Sequence, residues 1–159
     1  MKFIHLYVKL TEIDSFSLLL TSFIILHNKY NLMLDILTPE KKNELLIVLR
    51  DISRECSLSA IAVVSSEGQE LAFFAEKSTD QVVMSALASA LNSAGQQTVN
   101  QIKCGNLDQV IIKGSEGFVI LLSLDQFIVL AASKDIYTLA LAMNVLGKYG
   151  KRVYQILTA

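Results

Sequence analysis

Three strands follow one another in the second half of the chain, and a long amphipathic helix comes straight after them. Apolar and alternating runs predict strands at 107–113, 118–123 and 127–132. The connections at 114–117 and 124–126 have the length of hairpin loops. Consecutive hairpins are typical of a small antiparallel sheet, because only antiparallel neighbours can be joined so tightly.

The first half of the main segment predicts a helix, two strands and a second helix. Helix one begins at Thr38 and Pro39, an N-cap residue followed by proline at the first helical position. A nearly all-apolar strand at 60–65 turns at Gly68 into a partner strand at 70–75. The buried stripe of helix one is predicted to be Leu45, Leu49, Ile52 and Cys56. The resulting order is α-β-β-α-β-β-β-α, an α+β class fold.

The second helix, predicted from a cap at 78–80 to about Lys103, carries no charge between Gln81 and Gln101. Apolar residues recur at helical spacing, which predicts the side that lies on the sheet. These residues are Val83, Ala86, Leu87, Ala90, Leu91 and Ala94. The opposite side is small, polar and uncharged, and we expect it to face outward as a partner-binding surface. Its residues are Gln81, Ser85, Ser89, Asn92 and Gln96.

An uncharged outer face is unusual, because solvated helix faces normally carry Lys and Glu. Small residues allow another backbone to approach closely, so helix two and the strand at 107–113 are predicted to form a dimer contact. An Ala-rich helix selected for helix propensity alone is the alternative. The predicted interface residues are Ala88, Ser89, Asn92, Leu107, Gln109 and Ile111.

The composition limits the classes of partner. Lys and Arg number 14 against 15 Asp and Glu, a formal net charge of −1, which argues against a protein that binds nucleic acid by neutralising phosphates. Apolar residues make up 52% of the chain and charged residues 18%. So apolar a chain is expected to bury surface against a second copy or another protein, or to touch a membrane.

The last helix contains the chain's one basic cluster, Lys148, Lys151 and Arg152. Cations near a helix C-terminus complement the helix dipole, which is the simplest interpretation of the cluster. Gly147 and Gly150 weaken this helix and predict close packing against the sheet or helix one.

No catalytic, cofactor-binding or metal-binding constellation is recognisable in the sequence. Both histidines, His5 and His27, precede the main segment, and no phosphate-binding Gly-Lys loop occurs. Cys56 and Cys104 have no other ligand residue at metal-binding spacing and are predicted to be small buried hydrophobes in a reducing cytoplasm. The prediction is therefore a docking module with no enzymatic activity of its own.

Residues 1–32 form an N-terminal extension that does not match the rest of the chain. Its apolar stretch is shorter than the ~20 residues of a transmembrane helix. It also lacks the basic region and small-residue cleavage site of a signal peptide. Two interpretations stay open: an accessory strand or helix, or non-native upstream sequence before a start at Met33. Residues 33–159 are predicted to form the main domain.

From Leu37 to the C-terminus the chain resembles the roadblock family, named for a dynein light chain. The resemblance rests on ordered features: the opening helix, SAIAVVSSEGQELAFF, the helix VVMSALASALNSAGQQ, and QVIIKGSEGFVILLSLDQFIVLAAS before the last helix. It implies a profilin-like sandwich, a five-stranded antiparallel sheet with helices on both faces. It also implies pairing through helix two and the third strand, with an identical or paralogous subunit.

The resemblance further implies a non-catalytic regulator or scaffold of a small Ras-like GTPase, which can stimulate the hydrolysis of GTP without an arginine finger. No Arg lies between Arg54 and Arg152, which agrees with that mode. Two alternatives stay open. One is an adaptor without a GTPase partner, like the dynein light chains. The other is a sensory domain of the PAS or GAF type, which would need a cavity between sheet and helix.

Overall fold

The structure, a computed structural model, describes residues 37–75 and 79–159, together with 20–22 and 24, which lie in a helix. The rest of the N-terminal extension lies outside the described residues, and so do the predictions made for it. The predicted division after residue 32 stays a prediction. The chain separates into two compact units, Met1–Thr38 and Pro39–Ala159. The architecture that follows is that of the second unit.

Its elements follow the predicted order. They are α1 (Pro39–Cys56), β1 (Ala60–Ser65), β2 (Glu70–Ala75), α2 (Gln81–Gln101), β3 (Gln109–Lys113), β4 (Phe118–Leu124), β5 (Phe127–Ser133) and α3 (Leu139–Thr158). A 3-10 turn at Ile136–Thr138 precedes α3.

The five strands form one antiparallel sheet in the order β2-β1-β5-β4-β3. Every residue of β1 is buried, as expected for an inner strand covered on both faces. The hairpins β1–β2, β3–β4 and β4–β5 follow the sequence, and the β1–β5 pairing joins the two halves of the domain. Strands β2 and β3 lie at the two edges. The predicted profilin-like α+β fold is confirmed.

Alternate residues of β4 show that α2 and α3 cover opposite faces of the sheet. Leu121 belongs to the buried cluster that includes Ala88 of α2. Leu122 points the other way, where its Cδ2 would lie 2.5 Å from a Cβ placed on Gly150 of α3. Helix α1 lies beside α3, where Arg152 Nη2 is 3.8 Å from Glu44 Oε1.

Helix α1 follows the sequence prediction closely. It begins at Pro39, and the predicted stripe from Leu45 to Cys56 is fully or almost fully buried. Burial raises the pKa of the Cys56 thiol to about 11, with a smaller contribution from the negative charge of Glu55. Cys104 is exposed in the loop after α2, so the prediction that it is buried was wrong.

Several element boundaries differ from the sequence prediction, and strands β4 and β5 each end one residue later than predicted. Helix α2 ends at Gln101, because Lys103 adopts a positive φ of 57° that a continuing helix does not allow. Strand β3 begins at Gln109, two residues later than predicted. For the last helix the sequence predicts a cap at Ser133, with Asp135 in the first turn. In the structure Asp135 caps the 3-10 turn before α3, accepting from Tyr137 N–H at 3.0 Å. Among the described helices, none is long and apolar enough to cross a bilayer.

Candidate interaction surface

Helix α2 lies on the sheet with Ser85, Ala88 and the partly buried Met84 and Leu91, and it exposes its other apolar side chains. Ala88 is fully buried and Ser85 is 5% exposed. On the other side, Val83 is 51% exposed and Leu87 is 50% exposed. Leu91 packs against the core as predicted. The other residues predicted to lie on the sheet are exposed, so that part of the prediction was wrong; they are Val83, Ala86, Leu87, Ala90 and Ala94.

Close approach between α2 and the sheet explains this orientation. A Cβ on Gly95 would lie 2.9 Å from Leu107 Cδ2 and 3.0 Å from Val110 Cγ2, closer than such contacts normally come. At Gly95 no larger residue fits without a shift of Leu107 or Val110, whereas Met84 and Leu91 find room elsewhere on the same side of the helix. Ala88 and Leu91 pack directly against the sheet cluster that includes Leu121, which disfavours the enclosed cavity that a PAS- or GAF-like sensor would need.

The hydroxyl groups that face the sheet are satisfied within the chain. Ser85 Oγ donates to Gln81 O of its own helix at 3.0 Å. Ser89 Oγ donates to Ser66 O, in the β1–β2 turn, at 2.8 Å. These hydrogen bonds offset the cost of burying serine, so a polar residue can occupy the inner side of the helix.

The outward orientation predicted for Ser85, Ser89 and Asn92 was therefore wrong. Ser85 is buried, while Ser89 and Asn92 are half-buried, and Asn92 Oδ1 lies buried without a hydrogen-bond partner. Gln96 Oε1 accepts from Leu107 N–H at 3.3 Å. Gln81 is exposed as predicted. Ranking residues by hydrophobicity failed at these positions, because the inner side of α2 takes small side chains of either polarity beside the partly buried Met84 and Leu91.

The predicted dimer residues divide in the same way. Ala88 is buried inside its own chain and cannot touch a second copy, so its assignment to an interface surface was wrong. Leu107 is buried and Gln109 is half-buried, whereas Ile111 is exposed. Whether Ser89, Asn92, Leu107, Gln109 or Ile111 contacts a partner stays a prediction.

The outer side of α2 is a continuous run of exposed apolar side chains, here named the α2 stripe. Its residues are Val82, Val83, Ala86, Leu87, Ala90 and Ala94. A surface groove of about 470 Å³ borders the stripe at Gly68 and Ser89, where the β1–β2 turn meets the helix. Exposed apolar runs of this kind mark protein–protein contact sites.

Strand β3 extends the exposed apolar surface beyond α2. Ile111 and Ile112 point to opposite faces of the sheet and are 42% and 43% exposed. Among the described residues, the edge strand β3 pairs only with β4, so within residues 37–75 and 79–159 its other side is open to a further strand. Ile112 also lines a groove of about 490 Å³ together with Met84 of α2. Helix α2 and the sheet edge thus offer adjoining surfaces.

Titratable groups do not converge on either surface. Among residues 37–75 and 79–159 no three His, Cys, Asp or Glu side chains lie together as they would around a metal ion. The α2 stripe presents apolar side chains, and β3 presents its open backbone together with Ile111 and Ile112, between Gln109 and the exposed Lys113. Such groups bind by burial of surface and by strand pairing.

Comparison with known proteins agrees with the resemblance found in the sequence. The sequence model of the Roadblock/LC7 domain matches residues 42–134. Myxococcus xanthus MglB superposes with a TM-score of 0.68 at 11% identity, covering 72% of this chain and 95% of that one. No curated protein matches the sequence.

Two further solved structures share the fold. The gliding protein mglB from Thermus thermophilus has a TM-score of 0.66 at 11% identity, covering 77% of this chain and 94% of that one. A Roadblock/LC7 domain from Streptomyces avermitilis has a TM-score of 0.53 at 14% identity, covering 65% and 95%. At these identities the likeness concerns the fold alone.

Proposed function

Since the chain belongs to the roadblock/LC7 domain family, we propose that it is a non-catalytic regulator or scaffold that pairs with itself and acts on a small Ras-like GTPase. The observation that carries the proposal is the exposed α2 stripe beside the open edge of β3. One copy leaves this apolar surface in water, and a second copy would cover it.

The stripe suits a symmetric contact. In a two-fold pair the same patch of each subunit meets its copy, so one apolar stripe is sufficient for both sides. Ala86 and Ala90 have short side chains at its centre, which allows two α2 helices to approach closely. The exposed half of each side chain, Val83 and Leu87, would then be buried against the partner helix.

Strand β3 supports the same arrangement. Pairing of β3 with the β3 of a second copy would satisfy its open N–H and C=O groups. It would also cover Ile111 and Ile112, which lie on the two faces of the sheet next to the edge. The pair would then hold a continuous sheet with the two α2 helices side by side. A paralogous roadblock subunit with the same surface could take the place of the second copy.

The GTPase is inferred from the roadblock family. Two α2 helices lying side by side would bury the parts of the stripe that face each other, and the outward parts would form one shared platform for the GTPase. That platform would be free of arginine, because neither α2 nor β3 contains one. A regulator docking there would act by positioning the groups of the GTPase itself and not through an arginine finger. An adaptor that pairs in the same way without any GTPase is the alternative.

Hydrogen exchange with a bound GTPase tests where the partner lies. Ras-like GTPases from the source organism, each loaded with GDP or a non-hydrolysable GTP analogue, would be added to the purified chain. We expect slower exchange across α2 (Gln81–Gln101) and β3 (Gln109–Lys113). Protection confined to α3 would contradict the docking surface, and the absence of binding in both nucleotide states would favour the adaptor.

A further inference from the structure

A second surface lies on the sheet face opposite α2. A groove of about 420 Å³ runs between α3 and the β3–β4 edge of the sheet. Leu122 and Leu124 of β4 contribute apolar surface, and α3 lines it with Gly147, Gly150, Lys151, Tyr154 and Gln155. These α3 positions recur at spacings of 3, 1, 3 and 1, so they form one side of the helix. We refer to it as the α3 groove.

The two glycines of the groove differ in the space around the position where a Cβ would be. A Cβ on Gly150 would lie 2.5 Å from Leu122 Cδ2, so packing against β4 excludes a larger residue. A Cβ on Gly147 would meet no atom of residues 37–75 and 79–159 within 4 Å. Glycine weakens a helix relative to alanine, and the packing of this chain does not require it at Gly147. The bare backbone there gives an outside chain room to approach α3 closely.

The charge along α3 has one sign. The helix contains Lys148, Lys151 and Arg152 and no acidic residue. Arg152 lies 3.8 Å from Glu44 of α1, whereas Lys151 lines the groove. Lys148, one turn before Lys151, lies beside the lining, with its Nζ 5.1 Å from the ring centroid of Tyr149. Asp108 lines the opposite wall, at the start of β3. The α3 side of the groove therefore favours negative charge on whatever binds there.

We propose that the α3 groove is the docking site for an acidic amphipathic helix of a partner protein. Its apolar side would cover Leu124, Gly147 and Tyr154, and its carboxylates would lie beside Lys148 and Lys151. Gly147 and Tyr154 are seven residues apart, about 10 Å of helix axis. That length matches two turns of the bound helix.

This site lies on the other face of the sheet from the α2 stripe, so a bound helix would not contact the stripe. It adjoins the pairing edge, because Gln109 at the start of β3 lines the groove. A pair of subunits would present two such grooves. The chain could in this way hold a GTPase through one face and an anchoring protein through the other, as a scaffold requires.

A peptide selection tests the proposal on the full chain. A phage-displayed library of helical peptides is selected against the purified protein, and the enriched peptides are titrated by fluorescence anisotropy. We expect enriched sequences rich in Glu and Asp, with apolar residues at i, i+3, i+4 and i+7, and affinity that falls as salt rises. Gly147→Leu fills the groove and should weaken binding at least about tenfold.

Matched variants separate a docking role from a structural one. Gly147→Leu should raise the melting temperature, since its side chain enters open space and leucine favours a helix. Lys151→Glu should weaken binding by a similar factor, whereas Lys134→Glu, at an exposed position after β5, should leave it unchanged. Leu87→Glu, which alters the α2 stripe, should also leave peptide binding unchanged, so failure of this proposal is distinguishable from failure of pairing.

Four results would overturn the proposal: no peptide enriched, peptides without acidic residues, equal binding to Gly147→Leu, or binding lost in Leu87→Glu. Binding to vesicles of phosphatidylcholine with phosphatidylserine is measured as a further test. Lys151-dependent binding to these vesicles without any peptide binding would mean that the cluster recognises a membrane surface and not a partner helix.

Discussion

Replacement of Leu87 by glutamate should separate the pairing of the chain from its folding. Leu87 lies in the centre of the α2 stripe and is 50% exposed in a single chain. A carboxylate at that position can remain in water when the chain is alone. In a symmetric pair of α2 helices the same carboxylate would be buried, close to its copy from the other subunit.

The size of the effect follows from the exposed half of the side chain. Full burial of leucine contributes about 1.5–3 kcal/mol, so its exposed half accounts for about 1 kcal/mol. A two-fold pair contains the side chain twice, which gives about 2 kcal/mol, or about 30-fold in the dissociation constant. Repulsion and desolvation of the two carboxylates add to this, so about 30-fold is the lower bound that we expect.

Sedimentation equilibrium over a range of concentrations measures the change. Ile47→Glu is the matched control, because Ile47 is 55% exposed but lies on α1, away from the α2 stripe. We expect Leu87→Glu to weaken pairing and Ile47→Glu to leave it unchanged, with little change in melting temperature for either. An unmodified chain that stays monomeric at tens of micromolar, or equal weakening by both variants, would refute the reasoning.

Three further predictions concern stability, reactivity and catalysis. In urea titrations the free energy of unfolding of Gly147→Ala should exceed that of Gly150→Ala by about 1–3 kcal/mol, because both variants gain helix propensity and only the second crowds Leu122. Equal free energies of unfolding would contradict the α3 packing. Near pH 8, iodoacetamide should modify Cys104 well before Cys56, whose pKa burial raises to about 11; equal rates would show that Cys56 is accessible. The purified chain should release no phosphate from GTP above the buffer rate, and turnover that follows the protein through several columns would contradict a non-catalytic role.

The sequence was sufficient for the strands and for helix α1, because in both cases one signal decided the structure. Strand β1 consists almost entirely of apolar residues between turn signals, and its predicted bounds of 60–65 are those observed. The side of α1 opposite the stripe from Leu45 to Cys56 carries charged residues. Only one orientation of the helix therefore buries apolar surface without burying charge.

The orientation of α2 could not be read in that way. Without charge on either side, hydrophobicity distinguishes the two sides only weakly, and the distance between helix and sheet decides between them. That distance depends on Leu107 and Val110, which follow α2 in the chain and pack against Gly95. Gly95 and Ala88, nearly two turns apart on the inner side, were the available signal for close packing. Gly147 is the opposite case. The sequence predicted close packing at this glycine, and no atom of the described residues in the second unit lies close enough to provide it.

The mass of the complex formed with a Ras-like GTPase tests the central claim most directly. GTPases of the source organism, loaded with GDP or a GTP analogue, would be mixed with the purified chain and measured by light scattering after gel filtration. The account predicts a particle with two copies of the 17.6-kDa chain and one GTPase, formed in one nucleotide state more than in the other. A chain that elutes at 17.6 kDa and binds no GTPase in either state would contradict it.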